Sequence, residues 1–60
     1  MNAMEAQTQA QSLFAAHGPK ALAEAAEKVR QFERSGAAAE ARDWKQIEAV
    51  LRNLKAPHAS

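Results

Sequence analysis

The sequence predicts an all-α protein, a small bundle of three short helices. Three observations carry this. Alanine dominates while the chain holds only two glycines, two prolines and three aromatic residues, a balance that favours helix over sheet. Trp44, Ile47, Leu51 and Leu54 recur at i, i+3, i+7 and i+10, which sets them on one helical stripe. Gly18 and Gly36 fall between the apolar runs, where a helix end takes a left-handed residue.

The first helix is expected over about residues 3–17. Asn2 is a fitting N-cap, and Glu5 three residues later completes the spacing of a capping box. Ala3, Ala6, Ala10, Leu13, Phe14 and His17 share a face made mostly of methyl groups. The run Gln7 to Ser12 is polar and uncharged. Its small apolar content predicts a start that frays. Gly18-Pro19 then forms an elbow, with proline suited to the first turn of the next helix.

The second helix is expected over about residues 19–34, with Leu22, Ala25, Ala26, Val29 and Phe32 inward. Glu24 and Lys28 stand at i, i+4 in the favourable order. Ser35-Gly36 is the second break.

The third helix is expected over about residues 37–55. Ala37 would be its N-cap, forgoing the oxygen that Ser or Asp would offer to the free amides of the first turn. Glu40 compensates through the helix dipole. Ala56-Pro57 should stop this helix, leaving 56–60 as a tail that holds His58. The whole chain, 1–60, thus reads as one helical domain. Leu22-Ala25-Val29-Phe32 and Trp44-Ile47-Leu51-Leu54 share a spacing, which two amphipathic helices produce without duplication.

The predicted core is Leu22, Val29, Phe32, Trp44 and Leu51. Ile47, Val50 and Leu54 extend the apolar arc toward one edge, where only Leu13 and Phe14 of the first helix are available as cover. That edge is the predicted interface. A core this thin makes a homodimer or a protein partner attractive. The runner-up architecture is a hairpin of the second and third helices that dimerises into a four-helix bundle, with the first helix swapped or loose.

The landmarks His17-Gly18, Ala25-Ala26, Val29, Phe32, Gly36 and Trp44-x-x-Ile47 resemble a family of short bacterial α-helical proteins of unknown function, a domain of unknown function. The resemblance covers about Leu13 to Leu54. It departs at Ala37, where the family tends to have Asp, and in a more polar first helix. It implies a compact helical fold and no particular activity.

Chemistry is sparse. There is no cysteine, hence no disulfide and no thiolate metal site. Ser12, Ser35, Ser60 and Thr8 have no base at a recognisable spacing, and there is no phosphate loop. Glu40 and Asp43 form an acidic pair at i, i+3, better read as helix-dipole partners than as an acid–base couple. His17 is expected to lie partly buried at the end of the first helix. No enzyme activity and no cofactor are expected.

The net charge of +1 is too small to draw in nucleic acid or anionic lipid. Arg42, Lys45 and Arg52 form a mild basic stripe on the outer side of the third helix, the basis of an alternative reading as a nucleic-acid-associated regulator. A helix-turn-helix fails on Phe32, too large for the small-residue position, and on Arg42 and Lys45 at core positions of the recognition helix. No Lys or Arg precedes Lys20 and no long apolar run occurs, so neither a secretory signal nor a membrane span is expected. The expectation is a cytoplasmic, non-enzymatic helical interaction module acting as a homo-oligomer or with a protein partner.

Overall fold

The computed structural model describes residues 1–55. It is all-helical in that span: α1 (Ala3–His17), α2 (Lys20–Arg34) and α3 (Ala38–Lys55). The expected stop at Ala56-Pro57 and the tail with His58 lie outside the described residues.

Local chemistry accounts for each helix end. The Asn2 side chain accepts from the Glu5 N–H at 2.8 Å, and the Asn2 N–H donates to Glu5 Oε1 at 3.2 Å. These reciprocal bonds satisfy two otherwise orphaned donors at the start of α1. At its end, Gly18 takes φ 61° and its N–H donates to the Phe14 carbonyl at 2.7 Å. Pro19 sits in the cap position of α2, so the helix begins at Lys20, one residue past the proline.

The second turn is a Schellman motif. The Ala37 N–H donates to the Phe32 carbonyl at 2.8 Å, and the Gly36 N–H to the Glu33 carbonyl at 3.2 Å. Gly36 adopts φ 82°, a left-handed conformation that would strain any residue carrying a Cβ. Helix α3 starts at Ala38, with Ala37 before it accepting from the Ala41 N–H at 3.0 Å. Ala37 has no side-chain oxygen to add.

The helices run up, down and up. The Met1 ammonium meets Asp43 near the start of α3, so α1 and α3 are parallel. Glu33, near the end of α2, meets Lys45 near the start of α3, so those two are antiparallel. Helix α3 packs against both others, most extensively against α2, and α1 touches α2 least.

The core differs from the expected one in its composition. The buried residues are Ala6, Ala10, Ala21, Ala25, Val29, Ala41, Ile47 and Leu51. Five of these eight are alanines. Leu22 and Trp44, expected in the core, are half-buried and pack on its margin. Phe32, also expected inside, is half-buried too. Ile47, expected at an open edge, is 2% exposed and belongs to the centre. The reason is steric. The alanine faces of α1 and α2 leave room at the centre for Ile47 and Leu51 of α3, while Leu22, Phe32 and Trp44 stay half-buried.

Candidate functional site

The predicted interface residues are dispersed rather than gathered into an open face. Ile47 is enclosed in the cluster that contains Leu51, Ala6 and Ala10. Leu13, Phe14 and Val50 are half-buried and lie against that cluster. Only Leu54, at 36%, remains among the exposed large apolar residues. Helix α1 therefore lies over this edge of α3.

Several titratable groups are engaged in surface pairs. Lys45 Nζ meets Glu33 Oε2 at 3.1 Å, tying α3 to α2. Arg52 meets Glu48 at 3.1 Å one turn away. Arg30 and Arg34 converge on Glu27, at 3.3 and 3.8 Å. Two of the three bases in the expected stripe on α3 thus stand beside carboxylates. Arg42, the third, shares a shallow hollow of about 220 Å³ with Lys45, Glu33, Ala38 and Ala41.

His17 is exposed, against the expectation of partial burial, and its Nδ1 is bonded to a carboxylate oxygen of Glu24. The elbow at Gly18-Pro19 turns the first turns of α2 back beside the last turn of α1, within reach of the imidazole. Glu24 is thereby engaged with His17, not with Lys28 as its i, i+4 spacing had indicated. Three other candidates for chemistry serve the backbone or a terminus. Thr8 Oγ1 donates to the Met4 carbonyl at 3.1 Å, and Ser35 Oγ to the Phe32 carbonyl at 3.1 Å. Asp43 turns to the Met1 ammonium at 2.8 Å and away from any acid–base pairing with Glu40. That contact holds the Met1 amine above its ordinary value of 8.0, first through the hydrogen bond to Asp43 and then through the carboxylate's charge. Among the described residues, no three His, Cys, Asp or Glu side chains are placed to share a metal ion. No helix there is long and apolar enough to cross a membrane.

One surface feature went unread at the level of single residues. Helix α1 exposes eleven residues, of which only Glu5 carries a formal charge at neutral pH. On α2, seven of nine exposed residues are charged. The start of α1 carries an open hollow of about 390 Å³ lined by Asn2, Met4, Glu5, Thr8 and Gln9. Met4 is 78% exposed, the most of any large apolar side chain among the described residues. The polar, chargeless run from Gln7 to Ser12 was the available signal.

No family model, curated protein or solved structure matches this chain.

Proposed function

We propose that this chain is a small, non-enzymatic helical interaction module that acts by self-association. The supporting observation is the alanine core. Among the described residues, Val29, Ile47 and Leu51 are the only buried side chains larger than a methyl group. Fully burying one such side chain contributes about 1.5–3 kcal/mol, whereas ordering a residue costs on the order of 1.5 kcal/mol. A second chain supplies apolar contact that the monomer lacks. Membership of the family of short bacterial helical proteins belongs to the same proposal, resting on the spacing of His17-Gly18, Gly36 and Trp44-x-x-Ile47.

The alternative, a nucleic-acid regulator using α3, has less support. Its bases Lys45 and Arg52 stand 3.1 Å from Glu33 and Glu48, so a phosphate would compete with carboxylates already in place.

The test is the molar mass in solution. Light scattering after size exclusion should return twice 6.5 kDa at high concentration, and the melting temperature should rise with concentration, as it does when association stabilises the folded chain. A mass of 6.5 kDa at every concentration, with a constant melting temperature, overturns self-association.

A further inference from the structure

Helices α1 and α2 are separated by a single residue whose backbone is not helical. Helix α1 runs to His17 and α2 starts at Lys20, and between them Pro19 already holds helical dihedrals, φ −61° and ψ −19°. Gly18 alone departs, at φ 61° and ψ −142°, a conformation open to a residue without a Cβ. Rotation about that one residue converts the elbow into a continuous helix from Ala3 to Arg34. Hinges sit at such element ends, in one or a few residues that absorb a large backbone change.

The seat of α1 does not depend on the elbow. Helix α1 packs more on α3 than on α2. Its Ala6 and Ala10 share a cluster with Ile47 and Leu51, and its start is tied to α3 through Met1 and Asp43. A second chain can supply α1 to that seat as well as the first.

We infer that Gly18 is a hinge through which two copies of the chain exchange α1, each α1 lying on the α2–α3 hairpin of the other copy. The inference rests on the self-association proposed above and names its geometry. No uncovered face needs an occupant, because the surface that receives α1 is the one that already holds it. In the closed chain α1 is antiparallel to α2. Two merged helices laid antiparallel about a two-fold axis near Gly18 therefore carry each α1 onto the other hairpin with its contacts kept.

The balance is set at the elbow. Pro19 makes no side-chain cap bond and the first turn of α2 holds no acid, so α2 starts with poorly served amides. In the merged helix the Lys20 N–H donates to the Ala16 carbonyl, following the i to i−4 rule. Two effects oppose the opening. The Pro19 ring meets the Ala15 carbonyl and kinks the merged helix. The His17–Glu24 bond is also lost, since seven residues span about 10.5 Å along one helix. The opposition keeps the exchange reversible.

The experiment uses the full chain. A carbodiimide joins a carboxylate to a neighbouring amine, so it couples Met1 to Asp43, 2.8 Å apart, and Lys45 to Glu33, 3.1 Å apart. When isotope-labelled and unlabelled chains are refolded together, the Met1–Asp43 link should join a labelled to an unlabelled chain. The Lys45–Glu33 link should stay within one chain. Pro19→Ala removes the ring and supplies the missing N–H, and should tighten the dimer by about tenfold or more, which is 1.4 kcal/mol or more. Three glycines inserted after Gly18 interrupt the merged helix and should return a single-chain mass in light scattering, with circular dichroism verifying the fold of each variant. A dimer whose Met1–Asp43 links all lie within one chain overturns the exchange while self-association stands. A dimer unmoved by both Pro19→Ala and the insertion overturns Gly18 as the hinge. A wild-type chain that is always monomeric removes this inference together with the reading beneath it.

Discussion

Helices α1 and α2 have the same length and solve the same inward problem in the same way, yet they meet water differently. Each buries a pair of alanines one turn apart, Ala6 with Ala10 and Ala21 with Ala25, all at 1% exposure or less. Outward, α2 is a mosaic of acids and bases in which Glu27 gathers Arg30 and Arg34. Helix α1 has one acid, used in its own cap. The difference teaches that burial and surface character are set independently along a helix. Close approach demands small residues on one side only, and that leaves the other side free to be charged or uncharged.

The sharpest way to break the symmetric half of that comparison is to overfill each seam in turn. Ala10→Leu and Ala25→Leu insert extra methylenes where exposure is 0%, so each should cost about 1–3 kcal/mol in denaturant unfolding. The two losses should be similar. A loss at Ala25 with none at Ala10 would show that α1 is not held in a close-packed seam, and the common inward solution would fail.

Much of the fold is legible in sequence because it rests on local chemistry. Asn2 and Glu5 have capping-box spacing, and Gly18 and Gly36 stand where the backbone requires positive φ. Both depend on neighbours a few residues away. The core was less legible because burial depends on the distance between helix axes. Leu22, Phe32 and Trp44 are the residues that hydrophobicity favours, but the seam closes on alanines and leaves them half-buried. Ile47 moved the other way because α1, through Ala6 and Ala10, covers its edge of α3. The Met1–Asp43 and Glu33–Lys45 pairs have no sequence signal, since only the topology brings their partners together. The chargeless face of α1 was visible in composition. The expected inward face with Ala6 and Ala10 leaves Gln7, Thr8, Gln11 and Ser12 outside, as the structure has them.

The two turns sharpen the comparison at the helix starts. Helix α1 begins with a complete capping box, whereas Ala37 before α3 has only its carbonyl to contribute. Ala37→Asp should therefore raise stability by about 1 kcal/mol, read as a higher denaturant midpoint at unchanged slope. Asn2→Ala should lower it by a similar amount. If Ala37→Asp brings no gain, the first amides of α3 are already satisfied, and the contrast between the two starts disappears.

The smallest expected effect concerns how the start of α1 is tied to α3. That start is anchored by the terminal ammonium on Asp43 at 2.8 Å. The amine's folded value is raised from 8.0, so the folded state holds this proton more tightly than the unfolded chain does. The contribution to stability is then fully present below pH 8.0 and fades as pH rises through the folded value. Wild type should consequently lose stability relative to Asp43→Asn as the pH rises above 8.0 and through the raised folded value of the amine. The two chains should converge at the alkaline end. Parallel curves as the pH rises would mean that the ammonium is solvated and adds nothing to holding α1 in place.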